Sequence, residues 1–278
     1  MENYISIKIK LAPESIEEWI AYLSDIGIES FWEQEDGLEA FVPTNQVDEK
    51  FKSELHKLTS SKNISYQVNT HDSADWNKVW ESNFDDIVLR DKLQIRAPFH
   101  ERRSECPEQL LISPKMAFGT GHHATTSMIL EWMMDLHCTG KTVLDFGCGT
   151  GILGCYALIK AAKSVCFIDN EIEAVENVRE TLMLNDLKSD SIYLGSAEQI
   201  PSGQQYDLIL ANITRNVLLE YGSILSDHLL SGASLIVSGF LMEDVEIMTA
   251  KFNTYGLHLV DKMQKLDWAA LVFLKEKE

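Results

Sequence analysis

The stretch TVLDFGCGTGILG, Thr142–Gly154, decides how the rest of the chain is read. Val143, Leu144 and Phe146 form a short apolar run of strand character, glycines follow at 147, 149 and 151, and Ile152 and Leu153 open a second apolar run of helical character. A strand that passes through glycines into a helix is a ligand-binding turn, because a backbone without Cβ atoms turns tightly and comes close to a bound group. Gly149, Gly151 and Gly154 also fit the G-x-G-x-x-G spacing of dinucleotide sites, so an NAD(P)-dependent oxidoreductase is one reading of the loop.

Working outward, strand and helix patterns alternate. Helices are expected over 125–136, 152–161, 172–185, 216–230 and 243–253, and strands over 142–146, 164–168, 192–194, 208–211 and 234–238. Such alternation predicts a parallel sheet covered by helices on both faces, an α/β Rossmann-like domain. Two further strands, 257–263 and 269–274, have too little chain between them for a crossover helix and are expected to form an antiparallel hairpin.

Upstream, residues 1–70 read as a separate unit of order β-α-β-β-α-β, that of a small ferredoxin-like α+β domain. Residues 71–105 are expected to connect it to the main domain, 106–278. This connector carries an amphipathic helix over 75–84, whose Trp76, Trp80 and Phe84 form a packing stripe, and strand patterns over 88–97 and 109–112 that are expected to pair.

Composition bounds the function. The chain has 278 residues, enough for two cores, and its 45% hydrophobic and 24% charged residues are those of a folded globular protein. No run approaches the roughly 20 apolar residues of a membrane span, and MENYISIKIKLAPES lacks the apolar core of a secretory signal; a cytoplasmic, unprocessed protein is expected. Five cysteines without CxxC pairing read as reduced structural thiols. The formal charge of −19 opposes direct binding to a nucleic-acid backbone and fits a basic or neutral protein partner. No signal for an oligomeric state is evident.

Two acids flank the glycine loop. Asp145 lies at the carboxyl end of the strand, where a carboxylate repels a pyrophosphate and attracts the ammonium of a methionine moiety. Asp169 ends the next strand, SVCFID, about 20 residues beyond Gly147, the spacing at which an acid accepts ribose hydroxyls. Asp145 favours S-adenosylmethionine over a dinucleotide, while Asp169, an acid that both cofactors use, points to a nucleoside without choosing between them; Gly147, Gly149 and Gly151 form the loop against it. The plainer readings are that Asp145 caps the turn and Asp169 caps the helix at Ile172; Cys148 reads as loop filler.

Two more segments join this set. MAFGTGHHATT, Met116–Thr126, is too polar and too glycine-rich for a core and suits a mobile lid, with Thr126 able to reach the methionine end of the ligand. Adjacent His122 and His123 point in different directions, and no metal site is expected. DLILANI, Asp207–Ile213, ends a strand on Asn212, whose side chain can orient an attacking amine and line the cofactor cleft; a turn residue is the alternative.

The glycine loop, the ANI segment, AFGTGHHATT, the Trp76/Trp80 helix and the small leading domain together resemble the ribosomal protein L-eleven methyltransferases, over nearly the whole chain. The resemblance implies a two-domain enzyme whose N-terminal domain grips a large-subunit ribosomal protein and whose C-terminal domain methylates its lysine side chains and α-amino group. It also implies cofactor contacts at Thr126, Gly147, Asp169 and Asn212; as the group that orients the attacking amine, Asn212 is also the expected catalytic residue. In ISPKMAFGTG, Lys115 stands where the family often has glycine. Asn212 is followed by Ile213 and Thr214, not by the Pro-Pro-aromatic platform of methyltransferases acting on flat amides or bases, so an sp3 amine is the expected acceptor. A non-catalytic adaptor for ribosomal proteins and a nucleic-acid methyltransferase are the remaining alternatives.

Overall fold

A computed structural model of the chain describes residues 4–12, 15–26, 28, 30–34, 37–62, 64–71, 85–113 and 123–277. The chain divides into two compact units, Met1–Phe84 and Asp85–Glu278. The expected helix over 75–84, with its Trp76, Trp80 and Phe84, lies outside the described residues.

In the first unit the order is β1 (Tyr4–Lys10), α1 (Ile16–Asp25), β2 (Ser30–Gln34), β3 (Gly37–Pro43), α2 (Glu49–Ser61) and β4 (Tyr66–His71). The strands lie in the order β2-β3-β1-β4, every neighbouring pair antiparallel, which is the ferredoxin-like arrangement. Its cause is visible in the residues. Ile5, Ile7 and Ile9 alternate along β1 with Leu38, Ala40 and Val42 along β3, and this face buries Trp19 and Leu23 of α1 and Phe51 and Leu55 of α2. Asp48 starts α2 by accepting the Phe51 N–H at 2.7 Å.

The second unit opens with a three-stranded sheet, β5 (Ile87–Leu89), β6 (Leu93–Arg96) and β7 (Glu108–Leu111). The single strand expected over 88–97 is two: Arg90 and Asp91 both take positive φ, 50° and 52°, and turn the chain into an antiparallel hairpin. β6 then pairs in parallel with β7. Side chains fasten this sheet to the rest of the unit. Asn185 brackets Leu111, accepting its N–H at 2.8 Å and donating to its carbonyl at 2.7 Å; Arg90 pairs with Asp135 at 2.5 Å; Tyr156 donates to Glu108.

The remainder runs α3 (Ala124–Asp135), β8 (Thr142–Phe146), α4 (Ile152–Ile159), β9 (Ser164–Asp169), α5 (Ile172–Leu184), β10 (Ile192–Leu194), β11 (Tyr206–Asn212), α6 (Arg215–Asp227), β12 (Leu229–Leu241), α7 (Val245–Asn253), β13 (Leu257–Lys265) and β14 (Trp268–Lys275). The sheet order is β10-β9-β8-β11-β12-β14-β13; β10 to β12 are parallel, and β14 is antiparallel to both its neighbours. This is the expected Rossmann-like α/β domain with its closing hairpin. Burial explains why the last strand lies inside the second-last. Ala269, Ala270, Leu271 and Phe273 are buried in β14, whereas β13 carries Asp261, Lys262, Gln264 and Lys265 and buries only Leu257, the composition of an edge.

Candidate active site

From β8 the chain proceeds to β9 and β10 on one side, then crosses to β11 on the other. The carboxyl ends of β8 and β11 therefore bound a topological switch point, where open α/β sheets leave a cleft. The Gly147 loop leaves β8 at this point and Asn212 ends β11. Gly147 has φ +71°, and a Cβ there would lie 2.1 Å from Ile213 Cγ2. Opposite, Gly239 has φ +100°, and its Cβ would fall 2.3 Å from the Ile213 carbonyl oxygen. Asn212–Ile213 thus passes between two positions where only glycine fits. The sequence reading missed Gly239; its signal was a glycine inside a strand pattern, which marks a bulge or a close backbone approach, and the β12 register does shift between Ser238 and Phe240.

Both acids support the loop directly. Asp145, 1% exposed, accepts the Gly154 N–H at 2.8 Å. Burial pushes its pKa up to about 8, the Gly154 hydrogen bond opposes this, and the nearby Asp169 adds to it. Asp169, 9% exposed at the end of β9, accepts the Gly149 N–H at 2.8 Å and the Glu171 N–H at 3.1 Å. The helix cap itself is Glu171, not Asp169. Gly151, at φ +74°, begins α4. The Cys148 thiol is buried and its pKa raised, first by burial and then by Asp145 and Asp169, which keeps it protonated and unreactive. All five cysteines are free and buried. Among the described residues no three His, Cys, Asp or Glu side chains come together as a metal site.

The other half of the cleft comes from α3. Residues 114–122 of the expected lid, including Lys115 and His122, lie outside the described residues. His123 caps α3, its Nδ1 2.7 Å from Thr125 Oγ1 and 3.4 Å from the Thr125 nitrogen. One turn in, Thr126 is buried, and Asn212 Nδ2 donates to its Oγ1 at 3.0 Å. Two site residues 86 positions apart in sequence are thereby joined. His123 also meets Trp268 edge-on, ring centroids 4.6 Å apart, and Lys265 donates to Ser127 at 2.9 Å. Neither Trp268 nor Lys265 carries a local signal in sequence; only the insertion of β14 beside β12 brings them to α3.

A profile of the ribosomal protein L11 methyltransferase (PrmA) family matches residues 4–276. The chain belongs to the ribosomal protein L11 methyltransferase family. Curated relatives bearing that name include proteins of Porphyromonas gingivalis, 38% identical over 91% of this chain and 88% of the relative, and of Phocaeicola vulgatus, 33% identical over 98% and 99%. Among solved structures, a ribosomal protein L11 methylase from Lactobacillus delbrueckii subsp. bulgaricus superposes with a TM-score of 0.62 at 26% identity, covering 70% of this chain and 100% of the other.

Membership makes the chain an S-adenosylmethionine-dependent methyltransferase, and the oxidoreductase and adaptor readings of its motifs find no support. The cleft fits that cofactor. It lies at the sheet's switch point, with Gly147 and Gly149 half-buried in the loop and Asp169 at the end of β9, where a carboxylate opposes a pyrophosphate and suits a cationic nucleoside; Asp145, buried and protonated at neutral pH, adds no charge to the cleft. No described helix is long and apolar enough to cross a membrane.

Proposed function

We propose that this chain methylates lysine side chains and the α-amino group of ribosomal protein L11 in the cytoplasm. In this reading the ferredoxin-like residues 1–70 hold the protein substrate, residues 71–105 connect, and residues 106–278 carry the chemistry. S-adenosylmethionine supplies a methyl group on a positively charged sulfur. Asp169 receives the ribose hydroxyls, Asp145, buried and protonated at neutral pH, holds the loop through the Gly154 N–H instead of offering charge to the ammonium end, Gly147, Gly149 and Gly151 let the backbone approach, and Thr126 and Asn212 close the methionine side.

The observation that carries the proposal is Asn212, at the switch point with its amide held and no aromatic platform after it. Transfer to nitrogen is an in-line displacement that needs a free lone pair. Holding a lysine neutral at pH 7 costs about 4.6 kcal/mol, and an α-amino group of pKa near 7.8 only about 1 kcal/mol. An oriented amide serves that displacement without a strong base: Asn212 accepts an N–H while the lone pair faces the methyl, and burial of the amine on binding disfavours the ammonium. The net charge of −19 suits a basic protein segment better than RNA.

Incubation with methyl-labelled S-adenosylmethionine and purified L11 protein tests this. Label is expected in L11, at lysines and the N-terminus by peptide mapping, with turnover falling by about 100-fold in Asn212→Ala. Label in ribosomal RNA and none in L11 overturns it.

A further inference from the structure

We propose that Thr126 is a positioning residue that acts through Asn212, fixing which end of the asparagine amide the substrate meets. The inference rests on the functional reading above and deepens it. Asn212 Nδ2 donates to Thr126 Oγ1 at 3.0 Å, and Oδ1 has no hydrogen-bond partner among the described residues. An amide nitrogen only donates and an amide oxygen only accepts, so engaging the nitrogen leaves the acceptor for the cleft. The acceptor end suits a substrate amine, which must present an N–H to be oriented while its lone pair stays free for the methyl group. Presented the other way, the amide would offer a donor to that lone pair and compete with methyl transfer.

This arrangement works only if the threonine is itself held, and it is. Thr126 is 1% exposed in the first turn of α3, and α3 is fastened along one side to the closing hairpin. His123 packs against Trp268, Ser127 and Glu131 take Lys265 at 2.9 and 3.8 Å, and the Trp132 indole N–H donates to Asp261 at 3.1 Å. Asn212 is equally confined, because the next residue, Ile213, runs between Gly147 and Gly239 and donates its N–H to the Ser238 carbonyl at 3.1 Å. Two rigid supports meet in one hydrogen bond across the cleft.

Thr126→Val keeps the shape and removes the hydroxyl; Thr126→Ser keeps the hydroxyl. With L11 as substrate, Thr126→Val is expected to lower kcat about tenfold, the scale of losing one orienting hydrogen bond, while Thr126→Ser stays within about twofold. Because Thr126 also lines the methionine side of the cofactor, calorimetry with S-adenosylhomocysteine is expected to show a weaker Kd in Thr126→Val, but by a clearly smaller factor than the fall in kcat. In an Asn212→Ala background, Thr126→Val is expected to cost nothing more. Independently of activity, the Asn212 side-chain amide resonances are expected to shift in Thr126→Val and return in Thr126→Ser. A fall in cofactor affinity matching the loss of kcat/KM, or unmoved amide resonances, overturns the proposal and leaves Thr126 as a cofactor contact alone. A wild-type protein that does not methylate L11 overturns the functional reading instead, while the amide resonances still decide whether Thr126 holds Asn212.

Discussion

Asp145 shows how much a buried acid changes with its surroundings. It was expected to face a ligand's ammonium from the strand end; in the fold it lies beneath the loop, 1% exposed, taking the Gly154 N–H. With its pKa raised to about 8, the folded protein holds a proton that the unfolded chain loses near pH 4. The stabilisation tied to this proton is complete below pH 4 and is lost as pH rises through about 8. Thermal melts of the ligand-free enzyme are therefore expected to fall from pH 5 to pH 8.5 more steeply in wild type than in Asp145→Asn, which keeps an acceptor for Gly154 without the titration. Parallel profiles would show that the carboxyl does not titrate there. Residue type and spacing made Asp145, Asp169 and the glycines legible from the sequence. They left open whether Asp145 faces the ligand or caps the turn, and did not reveal that Asp169 also holds the loop, because the Gly154 and Gly149 N–H groups find their acceptors only once the turn has formed.

At the scale of elements, α3 matters more than its sequence indicates. Its helical run was legible, and β8 and β10 fall at the expected residues. Its neighbours were not, because they lie more than 100 residues away: Trp132 and Asp261 are separated by 129 positions, Ser127 and Lys265 by 138. The hairpin was expected, but the insertion of β14 between β12 and β13 follows from burial, with the apolar strand taking the inner place. Replacing Lys265 by Met removes its contacts with Ser127 and Glu131 while keeping the aliphatic stem. Because such partly exposed contacts are worth about 1 kcal/mol or less, global stability is expected to change little. Amide exchange across 124–128, read by mass spectrometry, is expected to speed up, with a drop in kcat smaller than that of Thr126→Val. Unchanged exchange would mean the hairpin does not steady the helix start.

For the whole molecule, the division into Met1–Phe84 and Asp85–Glu278 places β5 and β6 in the second unit, on the far side of the division from the ferredoxin-like sheet. If the first unit serves only to hold substrate, the chain from residue 85 onward is expected to bind S-adenosylhomocysteine within about threefold of the full chain. The same fragment is expected to lose tenfold or more, on the order of 1.4 kcal/mol, in kcat/KM toward L11. Calorimetry and labelled-methyl assays check the two halves of that expectation, and a fragment as active as the full chain would remove the first unit from substrate recognition. By itself the sequence determined the two fold classes, the glycine loop with its acids, and Asn212 at a strand end. These are written locally, in apolar periodicity and in residues whose backbone freedom or charge suits one task. Only the tertiary structure decided that Gly239 clears the path of Ile213, that the closing hairpin braces α3, and that Thr126 meets Asn212, because contacts between distant segments depend on strand order and packing, which no local pattern encodes.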